Sequence, residues 1–518
     1  MAFVLIGFMG AGKSTAAVDL AAALGTQPID SDRLLAERLG HPVAREFELS
    51  GEQGFRAKEE ALVLELLAAA GDSSVIALGG GSVLSGAVRE ALKGHVTVLL
   101  DVDPVHAWER VSRSREAGSR PLARNREEFL ALHGSRRALY EQIADAFLPD
   151  LPRRGIARAA DALRALAAAP AGTRLLWACS RSGEYPVLVG AGLLAPGRAE
   201  QLGEIWPIDL RASRGLCVSD LTVGPLLRER LGPVRGLIDI PPGESNKTLA
   251  VAELVWSALV GAGATRADHL VALGGGVVGD LAGFCAATYQ RGIPVVQVPT
   301  TLVAQVDSAY GGKTGVDLPQ AKNYVGAYHQ PAGVLVDPQL LCTLPPAERS
   351  AGWVEVLKTA LIAGGELWET VAAGGEPDER VILGCARTKL AVVRADERDG
   401  GRRQVLNLGH TVGHAIETAS GYGRYRHGEA VGLGLLAALR LSGQEDLRAQ
   451  VGELLRARGL PVSIDSVPAD DVLAAMTRDK KRLGSSVPFV LVNSPGEVEF
   501  GCELADGAVR EAVQELIA

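Results

Sequence analysis

The stretch Gly7-Phe-Met-Gly10-Ala-Gly12-Lys13-Ser14 near the start of the chain fits the pattern of a phosphate-binding loop. It follows a strand-like run, Phe3-Val-Leu-Ile6, and precedes a helical run over residues 15–24, as this motif requires. The glycines let backbone N–H groups turn towards phosphates, and the helix N-terminus adds partial positive charge. We expect Lys13 to reach the terminal phosphates of a nucleotide and Ser14 to bind Mg²⁺. The stretch therefore predicts an α/β nucleotide-binding domain.

The length and composition predict a multidomain globular protein. A chain of 518 residues exceeds the size of one hydrophobic core, and at about 150 residues per domain it should hold roughly two to four domains. Hydrophobic residues make up 47% and charged residues 22%, which is typical of globular proteins rather than disordered or fibrous ones. The net charge of -8 disfavours a broad nucleic-acid-binding surface, because such a surface must neutralise many phosphates.

The cysteines and apolar runs indicate the compartment. The 6 cysteines lie far apart without a Cys-x-x-Cys pair, which disfavours a disulfide framework and a thiolate zinc site. The start lacks a basic leader and glycines interrupt its apolar run, so we expect no signal peptide. Every apolar stretch is shorter than the roughly 20 residues that span a bilayer. We therefore predict a cytoplasmic protein with no membrane or nucleic-acid partner.

Strand-like runs alternate with longer helical patterns in two parts of the chain, which is typical of parallel sheets with crossover helices. An alanine-rich helical pattern at 157–169 ends in Pro170-Ala-Gly172, which predicts a short junction. After about Pro338, long alanine- and leucine-rich segments predict a mainly helical part. We predict three domains, namely a phosphate-loop α/β domain over residues 1–168, a second α/β domain over 173–338 and a mainly α-helical domain over 339–518.

Further motifs follow the phosphate loop in a fixed order. They are Asp30-Ser-Asp32, Gly51-Glu-Gln-Gly-Phe-Arg56-Ala-Lys-Glu59, Gly79-Gly-Gly81, Arg120-Pro-Leu and Arg136-Arg-Ala-Leu-Tyr140. Taken alone, Arg56 and Glu59 would more often form a solvated ion pair, and Asp30 would as often be a turn or cap residue. In order and spacing, however, the motifs together resemble shikimate kinase over roughly the first 168 residues.

The resemblance implies a role for each matched position in the kinase half. Asp32 would bind shikimate hydroxyls and help to deprotonate the attacking one. Arg56 and Arg136 would clamp the carboxylate, a task that suits planar guanidinium groups. The implied catalytic residues are Lys13, Asp32 and Arg120. The implied ATP- and Mg²⁺-binding residues are Gly10, Gly12, Lys13, Ser14, Thr15, Asp30, Arg113 and Arg120. The implied shikimate-binding residues are Asp32, Arg56, Glu59, Gly79, Gly80, Gly81 and Arg136. One departure is the segment after Tyr140, which is a weaker final strand than the family usually has.

Two motifs in the second half suggest a dinucleotide and a metal. Leu273-Gly-Gly-Gly276-Val-Val-Gly279-Asp280 follows a strand and opens a helix, so its backbone has room for a pyrophosphate. A close contact between helix and strand explains these glycines nearly as well. In Asn407-Leu-Gly-His-Thr-Val-Gly-His414-Ala-Ile-Glu417, two histidines have the helical spacing of a shared metal site. From spacing alone His414 is a candidate ligand, with a structural histidine as an equal alternative.

Many separate motifs around these two stretches resemble 3-dehydroquinate synthase over roughly residues 173–518. They include Pro242-Gly-Glu244-Ser-Asn-Lys247, Gln297-Val-Pro-Thr300-Thr301, Val306-Asp307-Ser, Gly311-Gly-Lys313, Lys322-Asn323 and the run from Trp353-Val-Glu355 to His427. The resemblance implies a Rossmann-like NAD-binding domain and a helical metal-binding domain. It also implies conversion of 3-deoxy-D-arabino-heptulosonate 7-phosphate to 3-dehydroquinate and phosphate, with NAD⁺ regenerated within each turnover.

The family assigns the catalytic Zn²⁺ or Co²⁺ to Glu355, His410 and His427, and places His414 beside the metal as a substrate or water contact. Three protein ligands leave open positions, as in catalytic rather than structural zinc sites. The implied NAD-binding residues are Asp220, Glu244, Lys247, Gly275, Gly276, Val277, Asp280, Thr300, Thr301, Lys322 and Thr343. The implied substrate-binding residues are Asp307, Lys313, Asn323, Lys358, Lys389, Arg403, Asn407, His414, Lys480 (or the adjacent Lys481) and Arg291. Four of these residues would be catalytic, namely Asp307, Lys313, Lys358 and His414. Arg291 would cross from a neighbouring subunit, which predicts a homodimer.

Other functions stay open at this point. The second half could be a related cyclase for another heptulose phosphate, or a metal-dependent polyol dehydrogenase that releases NADH. The first half could be a gluconate- or nucleotide-type kinase. One half could also be an inactive nucleotide-binding regulator, although retention of Lys13, Asp30, Asp32, Glu355, His410 and His427 argues against this.

Overall fold

A computed structural model describes residues 1–113, 125–151, 155–207, 210–211, 213–232, 234–421, 423–483 and 488–517, with the side chains of 478–483 left aside. The chain forms two compact units. The first consists of Met1–Ala178, Pro186–Leu188 and Gln201–Arg211, and the second of Cys179–Tyr185, Val189–Glu200 and Ala212–Ala518. The first unit thus extends beyond the junction predicted at residues 169–172.

The first unit is an α/β domain. Its strands are β1 (Phe3–Ile6), β2 (Pro28–Asp30), β3 (Val75–Ala77), β4 (Val96–Asp101), β5 (Ala146–Pro149) and β6 (Arg174–Cys179). Its principal helices are α1 (Lys13–Leu24), α2 (Ser31–Leu39), α3 (Val43–Ala69), α4 (Gly86–Leu92), α5 (Pro104–Arg113), α6 (Arg126–Ile143), α7 (Gly155–Arg158) and α8 (Ala160–Ala168). The strands pair in parallel in the order β2-β3-β1-β4-β5-β6.

The weak strand signal after Tyr140 belongs to a regular strand. In β5, Ala146 pairs with Val98 of β4 on one side and with Leu175 of β6 on the other. Asp145, just before β5, accepts a hydrogen bond from the Thr97 N–H at 2.9 Å and contacts Arg174 Nη1 at 2.8 Å. Tertiary pairing therefore stabilises a segment whose own sequence pattern is short and interrupted by proline.

The remaining elements form mainly the second unit. The strands are β7 (Glu184–Val189), β8 (Gly215–Asp220), β9 (Gly236–Ile240), β10 (His269–Gly274), β11 (Val295–Pro299), β12 (Lys313–Leu318), β13 (Ala321–Tyr328), β14 (Gly333–Val336), β15 (Phe489–Ser494) and β16 (Glu497–Cys502). The helices are α9 (Leu202–Ile205), α10 (Gly224–Leu227), α11 (Leu249–Gly261), α12 (Gly276–Thr288), α13 (Pro346–Ala363), α14 (Gly365–Ala372), α15 (Glu379–Ala395), α16 (His410–Ala419), α17 (His427–Leu441), α18 (Glu445–Ala457), α19 (Ala469–Leu483) and α20 (Asp506–Gln514).

The second unit combines a parallel sheet with a helical part. The sheet order is β14-β11-β10-β8-β9, and its core strands are almost fully buried, as expected when helices cover both faces. The strands β8, β10 and β11 end at one edge, which brings Asp220, Gly274 and Pro299 to the same side. The predicted α/β class with a helical C-terminal part is confirmed.

Two antiparallel hairpins lie outside this prediction. They are β12–β13, next to the main sheet in sequence, and β15–β16, within the mainly helical part. Strand β13 is largely exposed and contains alanine, glycine, lysine and asparagine, so it lacks the apolar alternation that identifies strands from sequence. Among the helices in the described ranges, none has the length and apolar character to cross a membrane.

Candidate functional site

The first unit contains a cavity of about 880 Å³ next to the phosphate loop. Nearly all the predicted ATP and shikimate residues line it, namely Gly10, Gly12, Lys13, Ser14, Thr15, Asp30, Asp32, Arg56, Glu59, Gly79, Gly80, Gly81 and Arg136. Arg113 instead lines an adjoining open cavity of about 530 Å³ together with Arg110 and Asp150. Arg120 lies outside the described residues. The structure thus brings the two predicted ligand sets of this unit to one cavity.

The phosphate loop has the geometry of an anion-binding turn. Gly12 has φ 86° and directly precedes α1, so its left-handed conformation favours glycine. The Lys13 ammonium donates to the carbonyl oxygens of Gly7 at 2.8 Å and Phe8 at 3.3 Å, which holds it over its own loop. The Asp30 carboxylate accepts hydrogen bonds from the N–H groups of Asp32 and Arg33. Asp30 is therefore a helix cap as well as a cavity residue.

The predicted carboxylate clamp is sheltered rather than solvated. Arg56 Nη1 lies 2.6 Å from Glu59 Oε2, and the Glu59 side chain is only 5% exposed. Ser82 donates to the other Glu59 oxygen at 2.8 Å. A Cβ at Gly81 would lie 2.1 Å from Arg56 Nη1, and one at Gly79 would lie 2.5 Å from Glu59 Oε1. The glycine run is therefore required for the close approach of this ion pair.

In the second unit, Glu355, His410 and His427 meet although they come from three helices. The His427 Nε2 atom lies 3.4 Å from Glu355 Oε1, and the His410 Nε2 atom lies 3.6 Å from the same oxygen. One ligand atom from each residue lies within 4.8 Å of the other two. This spacing suits three donors around one divalent ion.

Glycines permit the helix packing that brings these three side chains together. A Cβ at Gly434 in α17 would lie 1.9 Å from the Gly409 carbonyl oxygen at the start of α16. A Cβ at Gly428 would lie 1.9 Å from the Ala351 carbonyl oxygen in α13. Because no side chain fits at either position, α17 approaches both partner helices at backbone distance.

The electrostatics of the cluster match a metal site. Burial, followed by the nearby Lys358 charge, lowers the pKa of His410 to about 3, so this imidazole is neutral. Burial alone would raise the pKa of Glu355, but the nearby Lys358 ammonium, together with His427, holds it well below its usual range. Within the described part of the chain, Glu355 Oε1 receives no hydrogen bond. A buried carboxylate oxygen without a donor, beside two imidazole nitrogens, fits Zn²⁺ or Co²⁺.

His414 lies beside this cluster. Its ring centroid is 5.2 Å from that of His410 and 5.8 Å from that of His427, and the side chain is exposed. His414, Glu417 and His427 form a second group whose ligand atoms lie within 4.8 Å of one another. Glu417 was not predicted, although it follows His414 by three positions and so lies on the same helical face.

The other predicted substrate residues lie around the cluster at different depths. Lys389 contacts the Asp307 carboxylate and donates to the Asp307 carbonyl oxygen at 2.7 Å. Arg403, 2% exposed, donates to the Gly311 carbonyl oxygen at 3.1 Å. A cavity of about 680 Å³ is lined by Lys322, Asn323, Asn407, His410 and His414.

The remaining predicted substrate residues differ in their contacts and exposure. Lys358 lies 2.5 Å from Glu355 Oε2. Lys313 pairs at 2.6 Å with Asp399, which was not predicted. Lys480 lies in the part of α19 whose side chains are not described. Arg291 is exposed with φ 71°, next to Gln290 with φ 48°, so consecutive left-handed residues present it to solvent.

Several of the predicted NAD residues lie at the carboxyl edge of the second sheet. Lys247, 3% exposed, lies 2.8 Å from Glu244, 3.3 Å from Asp280 and 4.0 Å from Asp317, a residue that was not predicted. Burial raises the pKa of Asp280 to about 6 despite the Lys247 charge. The other predicted NAD residues are Asp220 at the end of β8, Gly275, Gly276 and Val277 at the start of α12, Thr300 and Thr301 after β11, Lys322 in β13, and Thr343 in the turn Pro338–Thr343.

Glycines in and just after the stretch Leu273–Asp280 also serve helix packing. A Cβ at Gly283 would lie 2.4 Å from Thr314 Cγ2, and one at Gly279 would lie 2.9 Å from Gln297 Oε1. A Cβ at Gly275 would lie 2.9 Å from Thr301 Cγ2. Close contact between helix and strand therefore accounts for several of these glycines, while Gly275 also caps the helix N-terminus.

The folds and sites define a class, namely a phosphate-loop kinase joined to a metal-dependent enzyme with a nucleotide-binding α/β domain. Residues 9–163 match the shikimate kinase family, residues 237–351 the N-terminal domain of 3-dehydroquinate synthase and residues 352–482 its C-terminal domain. A 3-dehydroquinate synthase of Symbiobacterium thermophilum is 43% identical over 355 residues, which cover 64% of this chain and 98% of that protein.

Solved structures agree with this assignment. The 2-epi-5-epi-valiolone synthase of Streptomyces hygroscopicus subsp. jinggangensis, with NAD⁺ and Zn²⁺ bound, aligns with a TM-score of 0.58 and 27% identity over 65% of this chain and 98% of its own. A 2-deoxy-scyllo-inosose synthase complexed with carbaglucose-6-phosphate, NAD⁺ and Co²⁺ aligns with the same TM-score of 0.58 and 25% identity, over 66% and 100%. The chain belongs to the 3-dehydroquinate synthase family and carries a shikimate kinase domain at its N-terminus. It is a bifunctional enzyme, as the resemblance predicted.

Proposed function

We propose that the chain catalyses two reactions of the shikimate pathway, each with the residues predicted for it. The first unit would phosphorylate shikimate with ATP to give shikimate 3-phosphate and ADP. The second would convert 3-deoxy-D-arabino-heptulosonate 7-phosphate to 3-dehydroquinate and phosphate. The observation that carries the second assignment is the convergence of Glu355, His410 and His427, whose ligand atoms lie within 4.8 Å of one another.

In the kinase half, the residues that line the cavity support separate roles. Lys13 and the loop N–H groups would bind the transferring phosphate. For Arg113 and Arg120 the proposed contact with the nucleotide rests on the family resemblance. Asp32 would take the proton of the attacking hydroxyl while Arg56 and Arg136 hold the carboxylate. Bound Mg²⁺, supported by Ser14 and Asp30, would neutralise charge on the phosphates.

In the synthase half, we assign Glu355, His410 and His427 to Zn²⁺ or Co²⁺, in line with the ions of the two solved cyclases. The bound ion would make a coordinated substrate hydroxyl easier to deprotonate. Lys389, 8% exposed, and Arg403 form a buried basic group suited to a carboxylate or phosphate. Asp307, held by Lys389, would orient a substrate hydroxyl, with Lys358, Lys313, Asn323, Asn407, His414 and Lys480 completing the substrate set.

The cofactor of this half is proposed to be NAD⁺, which both solved cyclases contain. NAD⁺ would accept a hydride from the substrate and return it within the same turnover. The pyrophosphate would lie at the N-terminus of α12, where Gly275 and Gly276 leave the backbone N–H groups accessible. Glu244, Lys247 and Asp280 form the neighbouring charged group, and Asp220 ends β8 at the same sheet edge.

The exposed side chain of Arg291 is compatible with a homodimer, in which it would reach a neighbouring copy. We propose that it contacts substrate in a neighbouring copy. A cytoplasmic location is supported by the cysteines, all 6 of which are free. The domain boundaries that we propose for the two halves remain 1–168, 173–338 and 339–518.

A pair of assays on the full chain tests the proposal. ADP should form only with shikimate, ATP and Mg²⁺ together. Phosphate should leave 3-deoxy-D-arabino-heptulosonate 7-phosphate in the presence of NAD⁺ without accumulation of NADH. Phosphate release from another heptulose phosphate alone would instead favour a related cyclase, and net NADH would favour a polyol dehydrogenase.

A further inference from the structure

Glu417 lies behind the metal cluster and contacts two functional groups at once. It belongs to α16 and is 3% exposed. Its Oε2 atom lies 3.3 Å from His427 Nδ1, and its Oε1 atom lies 3.1 Å from the Lys322 ammonium. His427 belongs to the proposed metal set and Lys322 to the proposed NAD set, so one buried carboxylate bridges the two sets.

The two nitrogens of His427 face different partners. Nε2 faces Glu355 Oε1 at 3.4 Å, on the side where the ligand atoms converge, while Nδ1 faces Glu417. An imidazole that ligates through Nε2 carries its proton on Nδ1, and a carboxylate acceptor fixes this tautomer and the ring orientation. His410 follows the same rule, because its Nδ1 lies 3.2 Å from the Leu408 carbonyl oxygen.

A second ion bound by His414, Glu417 and His427 is the competing interpretation of these contacts. Two features disfavour it. The Lys322 ammonium already neutralises Glu417 at 3.1 Å, where a second cation would be repelled. His427 would also have to lose its Nδ1 proton while ligating the first ion through Nε2.

We propose that Glu417 is a positioning residue that orients His427 for the metal and, through Lys322, couples metal binding to NAD binding. This inference rests on the proposed function of the second unit. Because the coupling is reciprocal, bound metal should tighten NAD⁺ and bound NAD⁺ should tighten the metal by the same factor. If Glu417 only stabilised the fold, its replacement would change neither of these two effects.

The test uses the full chain with Glu417→Gln, which keeps the size of the side chain but removes its charge. We expect Zn²⁺ affinity, measured by competition with a chromophoric chelator, to fall about 10- to 100-fold. The visible absorption of the Co²⁺-substituted protein should also change, because it reports ligand geometry. NAD⁺ affinity, titrated with and without Zn²⁺, should lose most of its dependence on the metal.

Matched variants separate the possible outcomes. Glu429→Gln changes a carboxylate that caps α17 through the Arg426 N–H at 2.8 Å, and it should leave Zn²⁺ affinity unchanged. Glu355→Gln should remove tight Zn²⁺ binding, and the kinase rate of every variant reports an intact first unit. If Glu417→Gln fails to fold, Glu417→Asp retains the charge with a shorter reach and should weaken Zn²⁺ binding to a smaller extent.

Zn²⁺ affinity within twofold of wild type and an unchanged Co²⁺ spectrum in the folded Glu417 variant would overturn the inference. The proposed function would still stand in that case, provided that Glu355→Gln loses the metal. Wild-type Zn²⁺ binding by Glu355→Gln would overturn the proposed metal site itself.

Discussion

Replacing Gly81 by alanine should weaken shikimate binding without unfolding the kinase half. The new Cβ would lie 2.1 Å from Arg56 Nη1 and 2.4 Å from Arg56 Cζ, so the guanidinium must retreat. That movement breaks the 2.6 Å contact with Glu59 and displaces the group proposed to grip the substrate carboxylate. Since Gly81 has φ -102° and the colliding atoms end a flexible side chain, the backbone can accept alanine.

The size of the effect follows from the lost contact. A hydrogen bond to a charged group contributes about 1.5–3 kcal/mol, which corresponds to an increase of about 10- to 100-fold in the KM for shikimate. The KM for ATP should change little, because the three atoms nearest to the new Cβ all belong to Arg56 rather than to the phosphate loop. Phosphate release from the heptulosonate substrate should remain at the wild-type rate, since it occurs in the second unit.

Steady-state kinetics with each substrate varied in turn measures these quantities. Gly86→Ala is the matched control, because its Cβ would meet Arg89 Nη2 at an ordinary 3.7 Å and its backbone is already helical. An unchanged KM for shikimate in the Gly81 variant, or an equal rise in the KM for ATP, would refute the assignment of Arg56 as the carboxylate clamp.

Three further outcomes are expected. Gly434→Ala should destabilise the second unit by at least about 2 kcal/mol in denaturant unfolding and lower its Zn²⁺ affinity, because the new Cβ would lie 1.9 Å from the Gly409 carbonyl oxygen. Gly452→Ala should have neither effect, because its Cβ would lie 3.6 Å from the nearest atom. A zinc-selective chelator with excess Mg²⁺ should abolish phosphate release reversibly while ADP formation continues; loss of both activities would contradict separate metal sites. Burial lowers the pKa of His269 from 6.5 to about 4. Between these pH values the unfolded chain binds a proton that the folded chain does not, so stability decreases by about 3 kcal/mol as the pH is lowered from 6.5 to 4. His269→Gln should flatten this part of the pH–stability curve, and an unaltered slope would count against the prediction.

The residues that line the kinase cavity could be foreseen to a large extent, because the motifs that carry them are local. The phosphate loop fixes backbone direction within eight residues, Gly7 to Ser14. Arg56 and Glu59 are three positions apart on one helix and reach each other without help from distant segments. The weak strand Ala146–Pro149 is the exception, because it is stabilised by neighbours on both sides rather than by its own pattern.

The partners of the synthase site were harder to foresee because they depend on contacts between distant segments. Glu417 meets Lys322 across 95 positions of sequence, and Lys313 meets Asp399 across 86. An isolated Asp or Glu on a helix or loop carries no sign of such a partner, and most are solvated. Asp317, near Lys247, is hidden for the same reason.

Helical spacing alone also singles out the wrong pair of imidazoles if the proposed ligand set is correct. His410 and His414 share one helical face, yet the imidazole that joins His410 at Glu355 Oε1 is that of His427, 17 positions after His410, and the Nε2 atoms of His427 and His410 lie 3.4 Å and 3.6 Å from this oxygen, respectively. What moves His427 there is the backbone contact of α17 with α13 and α16 at Gly428 and Gly434, where a Cβ would lie 1.9 Å from a carbonyl oxygen. A methyl group at either position would displace the helix by more than the roughly 0.2 Å that metal–ligand distances tolerate. The glycines that follow His427 are therefore a stricter sequence signature of this site than two histidines four residues apart.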